Sequence, residues 1–408
     1  MRLHPFASLL PAPDLASRVA APPYDVVNRA EARAIAAGNS ASFLHVGRSD
    51  IDLPDSTDQY DPAVYRTARE ALDRLVREGA LRRDSSPGLY LYRQVMDGQS
   101  QIGVVGCLHI DDYEQDLIKK HEKTRPDKED DRTRHVLTLD ANAEPVFLTY
   151  QDVSAIDRLV DQDAARTPIF DFTSDDGVRH TGWRVANTEA YVADFGGIPW
   201  SYVADGHHRT ASAWRAGRER RAANPKHTGA EEYNWFLAVL FPASQLRILA
   251  YNRVVKDFNG RDRAGFLKEL EKVGSVMPAS DPVPRRPGSF TVFPGDRWYQ
   301  VDVDRASINE KDPLGTLDVT LVQDRVLGPI LGIGDPRTDK RIDFVGGIRG
   351  TAELERRVGS GEMALAISMF PTSVDQLLRV ADAGLMMPPK STWFEPKLKS
   401  GLFVHLLD

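Results

Sequence analysis

The sequence predicts an α/β (α+β) fold with mixed sheets. Strand-like apolar runs stand next to helical patterns along the whole chain, and several runs form consecutive pairs with turn residues between them. The composition is globular, because 41% of the 408 residues are hydrophobic and 27% are charged. A chain of this length exceeds one ordinary core, so we predict three parts, which comprise residues 1–150, 151–280 and 281–408.

The first part begins with two predicted helices. The run NRAEARAIAAGN starts with Asn28 as the cap and has Glu31 three residues later, which is typical of a capping box. Apolar spacing in residues 62–81 predicts an amphipathic helix. Strands are predicted for SFLHV (42–46), for the hairpin pair GLYLYRQVM and QIGVVGCLHI, and for PVFLTYQ (145–151).

The alternation of strands and helices continues to the C-terminus. SYVAD predicts a strand, and HRTASAWRAGRERRAA predicts the helix that follows it. Later strands are predicted for YNWFLAVLFPAS, LRILAYNRVVKD, SFTVFP, WYQVDVD and MALAISM, and later helices for RAGFLKELEKV, TLDVTLVQDRVLGPIL, TAELERRVGSG and SVDQLLRVADAG. The four-proline segment PASDPVPRRPG (278–288) is the best candidate for a linker or a long loop.

Charge and cysteine content exclude several classes of protein. A net charge of −7 argues against a dedicated partner of nucleic acids or of anionic membranes. The single cysteine, Cys107, cannot form a disulfide within the chain and is expected to be a core residue. We see no signal-peptide core and no apolar stretch of membrane-spanning length, so we expect a cytoplasmic protein with no membrane partner.

The segment YVADGHHRTASAW places an acid, two imidazoles and a guanidinium where a strand passes into a helix. Unpaired N–H groups and the helix dipole favour an anion at a helix N-terminus, and Gly206 lets the backbone approach a ligand closely. Arginine offers a bidentate fork for phosphate, and histidine can act as an acid or a base. The alternative is a capped surface helix with solvated polar residues. The predicted catalytic residues are Asp205, His207, His208 and Arg209.

The segment KKHEKTRPDKEDDRTRH (119–135) carries charges of both signs. Carboxylates suit Mg²⁺ and nearby arginines suit phosphate, so Asp130 and Asp131 are candidate metal ligands. The alternative is a solvated loop or helix face. The candidate substrate and phosphate contacts in this charged loop are His121, Glu122, Arg125 and Arg132.

Two proline-containing segments are further candidates. MPPKSTWFEPKLKSGL (387–402) has a stiff approach to a basic stretch, so it is either a basic C-terminal loop or a lid that contacts phosphate. In APPYDVVN (21–28), Asp25 is a candidate base in what is otherwise a structural turn. The candidate phosphate contacts of the C-terminal segment are Lys390, Ser391, Thr392 and Lys397.

These segments resemble the bacterial and archaeal family catalogued as domain of unknown function 1015. The resemblance spans nearly the whole chain. It rests on VAAPPYDVVN, FLHVGRSDIDLP, HEKTRPDKEDDR, YVADGHHRTASA, ILAYNRVVKD, IDFVGG and MPPKSTWFEPKLKSGL.

The DGHHR element also resembles the phosphate-binding box of the ParB/sulfiredoxin superfamily, which includes CTP-binding partition proteins, sulfiredoxins and free-serine kinases. The resemblance implies a ParB/sulfiredoxin-like core with additional α/β sub-domains, in which Gly206, His208 and Arg209 contact phosphate. Sulfiredoxin activity is not expected, because this box has no cysteine. DNA partition is not expected either, because the chain is acidic.

The resemblance implies phosphoryl transfer on a small phosphomonoester or hydroxy amino acid, with phosphoserine and serine as the leading pair. The enzyme would be a phosphoserine phosphatase or a nucleotide-dependent serine kinase, and a phosphohistidine intermediate at His207 or His208 is open. The alternative is a non-catalytic, nucleotide-binding ParB-like regulator. Mg²⁺ and ADP or ATP are candidate cofactors. The expected partners are a phosphorylated small molecule, a nucleotide and, as a candidate, a second copy of the chain.

Overall fold

The computed structural model describes residues 1–408, and it contains both helices and mixed sheets, which confirms the predicted fold class. The strands are β1 (Leu3–His4), β2 (Leu9–Pro11), β3 (Leu81–Arg83), β4 (Tyr90–Met96), β5 (Gln99–His109), β6 (Ile118–Lys119), β7 (Ala141–Asn142), β8 (Val146–Tyr150), β9 (Phe170–Thr173), β10 (Arg179–Arg184), β11 (Ser201–Asp205), β12 (Trp235–Pro242), β13 (Arg247–Leu249), β14 (Tyr251–Val255), β15 (Gly274–Pro278), β16 (Ser289–Phe293), β17 (Tyr299–Val303), β18 (Ile342–Gly346), β19 (Leu365–Met369), β20 (Trp393–Glu395) and β21 (His405–Leu406).

The α-helices range from single turns to five turns. They are α1 (Ala16–Val19), α2 (Arg29–Ala36), α3 (Leu44–Gly47), α4 (Pro62–Arg77), α5 (Ile110–Glu114), α6 (Pro126–Leu139), α7 (Ser154–Ala164), α8 (Thr188–Gly196), α9 (His207–Ala223), α10 (Arg263–Leu270), α11 (Asp318–Val322), α12 (Gly350–Gly359) and α13 (Val374–Asp382). No helix is long and apolar enough to cross a membrane.

The chain forms two compact units. The first comprises Met1–Leu246 and Pro396–Asp408, and the second comprises Arg247–Glu395. The C-terminal segment of the chain therefore returns to the first unit.

The first unit is built on a nine-stranded mixed sheet. Its strand order is β6-β11-β8-β12-β5-β4-β10-β9, and β1 pairs with β5. β11 is antiparallel to β8 and parallel to β6, while β12 is parallel to β8 and antiparallel to β5. Buried apolar side chains such as Leu148, Val203 and Phe236 form its core. β11 lies between the edge strand β6 and β8, so it is hydrogen-bonded on both sides where it leads into α9.

The second unit has a six-stranded sheet with the order β15-β17-β16-β19-β14-β18. The pairs between its neighbouring strands are antiparallel. The proline-rich segment 278–288 connects β15 to β16 within this unit. Predicted strands SFTVFP and WYQVDVD form the expected hairpin, as β16 and β17.

Local signals in the sequence predict several elements correctly. The capping box at Asn28 and Glu31 is present, with both reciprocal hydrogen bonds. The hairpin of β4 and β5 forms in continuous register from Tyr90 to Met96. The helix predicted for residues 62–81 is confirmed as α4, although it ends at Arg77 and β3 follows.

Two predictions about local structure are wrong. SFLHV (42–46) is not a strand, because Leu44–Gly47 forms the single turn α3 with Leu44 and Val46 buried. Periodicity alone cannot separate a short buried strand from a buried helical turn. The segment 119–135 is not a loop throughout, because α6 begins at Pro126 and buries Asp131 and His135. Proline at the first helical position favours this start.

Candidate functional site

The connection from β11 to α9 forms the centre of the candidate site. Gly206 adopts the left-handed region with φ 93°, and an added Cβ would lie 3.0 Å from Arg209 Nε. The Asp205 carboxylate accepts a hydrogen bond from the Gly206 amide at 2.8 Å. No side chain caps α9, so the first-turn amides of His207, His208 and Arg209 have no intrahelical partner. These amides and the helix dipole favour an anion at this point.

His207 and His121 are buried side by side. Their ring centroids lie 4.4 Å apart and the rings are perpendicular. His207 Nε2 is buried and makes no hydrogen bond. Burial lowers the pKa of His207 to about 4, helped by the charges of His208 and Arg209 and opposed by Asp205. Burial and His207 also hold the pKa of His121 well below its usual value. Both imidazoles are therefore neutral at pH 7.

His208 has a defined tautomer. Its Nε2 accepts a hydrogen bond from the Arg125 amide at 3.0 Å, so in the neutral ring the proton is on Nδ1. Burial lowers the pKa of His208, although the carboxylates of Glu122 and Asp25 oppose the shift. A neutral ring with a proton on Nδ1 can donate a hydrogen bond to a phosphate oxygen.

Asp205 is held by a lysine from the C-terminal segment. Lys397 Nζ lies 2.9 Å from Asp205 Oδ2, and Arg209 Nη2 lies 3.9 Å from Asp205 Oδ1. Burial alone would raise the pKa of Asp205, but Lys397 and Arg209 together hold it far below its usual value. Asp205 is therefore an ionised hydrogen-bond acceptor at neutral pH, and Lys397 balances its charge.

Arg209 is almost completely buried, with 9% of its surface exposed. Its Nη1 donates to the Pro145 carbonyl at 2.6 Å, while its buried Nε makes no hydrogen bond. Burial lowers the pKa of Arg209, but the neighbouring carboxylates of Asp25, Asp205 and Glu144 raise it overall. The guanidinium is thus fixed in position and keeps its charge.

The charged segment contributes some of its predicted residues to this centre. Glu122 Oε2 lies 3.9 Å from His207 Nδ1, so Glu122 and His121 both lie beside the DGHHR segment (205–209), which we call the box. Arg125 contributes its amide to His208, but its exposed guanidinium binds Asp127. Arg132 lies on α6, with its Cζ 4.2 Å from the centre of the Tyr24 ring.

The two predicted metal ligands, Asp130 and Asp131, contact different partners. Asp130 is exposed and binds Arg215 Nη2 at 2.6 Å. Asp131 is buried and accepts hydrogen bonds from the Tyr65 hydroxyl and from Arg132 Nε, both at 2.9 Å. The two carboxylates therefore serve different partners, and no group of three His, Cys, Asp or Glu side chains could hold a metal ion. Magnesium binding by Asp130 and Asp131 stays a prediction.

Three predicted phosphate contacts belong to the second unit. Lys390 has φ 58°, and its ammonium lies 5.4 Å from the centre of the Tyr251 ring. Ser391 is buried, and its hydroxyl donates to the Pro388 carbonyl at 2.6 Å. Thr392 is half-buried. Phosphate binding by these three residues stays a prediction.

A comparison with protein families classifies the chain. The profile described as "Protein of unknown function (DUF1015)" matches residues 3–320. The chain belongs to this family. The DUF1015 match includes the box and the charged segment, and it ends before Lys390 and Lys397.

The solved structures similar to this DUF1015 chain are distant. SbnI with a C-terminal truncation from Staphylococcus aureus has a TM-score of 0.39 and 14% identity, over 74% of this chain and 87% of that one. Free serine kinase in complex with AMP has a TM-score of 0.37 and 12% identity, over 74% and 92%. A conserved hypothetical protein from Pyrococcus furiosus has a TM-score of 0.35 and 13% identity, over 74% and 95%. No curated protein matches in a sequence search. Similarities at these TM-scores carry no argument about function.

Glu144 of this DUF1015 chain was not among the residues predicted from the sequence. The Glu144 carboxylate accepts hydrogen bonds from the Tyr24 amide at 3.2 Å and from the Ser400 hydroxyl at 3.1 Å. Its charge also acts on Arg132 and Arg209. The available signal was a single acidic residue directly before Pro145 and the buried strand β8, which is an unusual place for an unpaired charge.

Proposed function

We propose that this chain is a phosphoryl-transfer enzyme that acts on a small phosphomonoester or hydroxy amino acid. Serine and phosphoserine are the leading pair, in a phosphatase or a nucleotide-dependent kinase reaction. The observation that carries the proposal is the convergence of hydrogen-bonding groups and two cationic side chains on one uncapped helix N-terminus. Amide N–H groups, His207, His208, Arg209 and Lys397 meet there around Asp205.

The box is suited to bind a phosphoryl group. Its oxygens would accept hydrogen bonds from the first-turn amides of α9 and from Nδ1 of His208. Arg209 supplies a buried positive charge that stabilises the negative charge of the transition state. Because Lys397 balances Asp205, the acid does not cancel the positive charge of the helix terminus.

Two groups can handle the attacking hydroxyl or water. Asp205 is ionised and can orient a hydroxyl group as a hydrogen-bond acceptor. His207 is neutral, and its Nε2 has no partner in the chain, so it can accept or donate a proton there. Phosphoryl transfer passes through a loose transition state, so positioning and charge contribute more than a strong base.

A product assay tests the proposal. The protein is incubated with L-phosphoserine, and separately with L-serine and ATP or ADP, and inorganic phosphate and phosphoserine are measured. Turnover of one substrate set supports the proposal and separates phosphatase from kinase. Nucleotide binding without turnover of either set would identify the alternative, a non-catalytic regulator.

Variants on one helix make the assay specific. Arg209→Ala is expected to reduce turnover by about 100-fold or more, because the substitution removes the buried positive charge that stabilises the transition state. Arg209→Lys keeps the charge but loses the planar fork, so partial activity is expected. Arg218→Ala is the matched control, because Arg218 is exposed on α9 and binds Glu114. An unchanged rate in a folded Arg209→Ala protein would refute the assignment.

A further inference from the structure

A pocket of the first unit is lined by charges of both signs. It lies between α6, α9 and the strands β8 and β12, and its lining includes Arg132, Glu144, Arg209 and Ser212. No ion pair joins Glu144 to either arginine, although the three charges influence one another. Charged side chains that line one pocket and are not paired with each other can each bind a ligand group of the opposite charge.

The guanidinium of Arg132 is held in place on one side, and its two Nη groups are available to a ligand. Its side chain is 11% exposed, its Nε donates to Asp131, and one face lies on the Tyr24 ring. Its two Nη groups make no hydrogen bond within the chain. The planar fork of Nη groups is the geometry that binds a carboxylate.

Glu144 keeps one oxygen unused. Oε1 accepts hydrogen bonds from the Tyr24 amide and the Ser400 hydroxyl, while Oε2 accepts none. These two bonds fix the carboxylate in orientation. Burial raises the pKa of Glu144, and Arg209 and Arg132 oppose the shift. An ammonium group carries three N–H donors, so it can donate a hydrogen bond to Oε2 of Glu144.

We propose that this pocket binds the zwitterionic end of an α-amino acid. Glu144 Oε2 accepts from the α-ammonium group and the Nη groups of Arg132 bind the α-carboxylate. Arg209 lines the pocket and also belongs to the box at the start of α9. The inference rests on the proposed function for the phosphoryl end, and it assigns specificity for the amino acid to Glu144 and Arg132.

Three phosphomonoesters separate the two ends of the ligand. L-Phosphoserine carries ammonium, carboxylate and phosphate, phosphoethanolamine lacks the carboxylate, and 3-phosphoglycerate has a hydroxyl in place of the ammonium. Isothermal titration calorimetry measures the affinity of the full-length protein for each. We expect phosphoserine to bind about 10- to 100-fold more tightly than the other two, since each lacks one charged hydrogen-bonding group.

Two variants assign each end. Glu144→Gln should weaken phosphoserine about 10- to 100-fold and leave 3-phosphoglycerate unchanged. Arg132→Gln should weaken phosphoserine and leave phosphoethanolamine unchanged. Arg134→Ala, an exposed residue of the same helix, is the control and should alter none of the three. Melting temperatures check that each variant is folded.

The outcomes keep the two proposals apart. Equal affinity of the wild-type protein for the three ligands, or equal weakening of all three by Glu144→Gln, would overturn the amino-acid site. Selective binding of phosphoserine without turnover would support the amino-acid site and count against phosphoryl transfer.

Discussion

Replacing Lys397 by glutamine removes the cation that balances Asp205. Lys397 Nζ lies 2.9 Å from the carboxylate, and the side chains of Lys397 and Asp205 are 18% and 27% exposed. A hydrogen bond between charged groups in such a setting contributes about 1.5–3 kcal/mol. We therefore expect Lys397→Gln to lose about that much free energy of unfolding at pH 7, which is roughly a 10- to 150-fold change in the unfolding equilibrium constant.

The pH dependence identifies the source of this loss. The pKa of Asp205 is lower in the folded chain than the ordinary value of about 3.9 in the unfolded chain. Its contribution to stability is therefore complete above that value and decreases as the pH falls towards the folded-state pKa. Urea unfolding at pH 7, 5 and 3 should show a difference between wild type and variant that is constant from pH 7 to 5 and smaller at pH 3.

The neighbouring lysine provides the control. Lys399 is two residues further along the same segment and lies outside the box. Its Nζ is 2.7 Å from Asp176. Lys399→Gln should also lower stability, but it should leave phosphoryl transfer unchanged, whereas Lys397→Gln should reduce it about tenfold or more. If the two variants affect activity equally, or if the stability difference of Lys397→Gln does not depend on pH, the argument is refuted.

Three further substitutions test local features of the fold and the site. Gly206→Ala should cost about 1–2 kcal/mol, because φ is 93° and the new Cβ would lie 3.0 Å from Arg209; an unchanged melting temperature contradicts this. Glu144→Gln should stabilise the chain at pH 7, because burial raises the pKa of Glu144 and penalises its ionised form; the gain should vanish below about pH 4. Glu232→Gln should lose about 1.5–3 kcal/mol at pH 7, because hydrogen bonds from His4 and His405 lower the pKa of Glu232 to about 2 against the effect of burial; equal losses at pH 7 and pH 2 would contradict this.

Features encoded by neighbouring residues could be predicted from the sequence. The capping box at Asn28, the β4–β5 hairpin and the passage from β11 into α9 each depend on residues a few positions apart. The structure adds that Gly206 adopts the left-handed region and that no side chain caps α9. The fold class was therefore accessible without a structure, and the same short segments supplied the candidate site residues.

Contacts between distant parts of the chain could not be predicted in the same way. Lys397 was a candidate because of its charge, but only the return of the C-terminal segment to the first unit places it on Asp205, 192 positions earlier. Likewise, the sequence identified Asp131 as a charged candidate ligand, but only the tertiary structure pairs it with Tyr65. Charge patterns in the sequence identify candidate binding residues, but the tertiary structure determines which partners these residues contact.

The arrangement of charges also predicts different effects of Lys397 and Arg209 on a bound phosphate. A phosphate dianion at the start of α9 would meet Asp205 as well as the positive groups, and Lys397 removes most of that repulsion. Without Lys397, Asp205 would repel the phosphate in the ground state and in the transition state alike. The activity loss in Lys397→Gln should therefore appear mainly in KM. Loss of Arg209 should lower kcat as well, because the proposed reaction develops its transition-state charge beside this guanidinium. Steady-state kinetics of the two variants, with phosphoserine as the substrate, distinguish these roles.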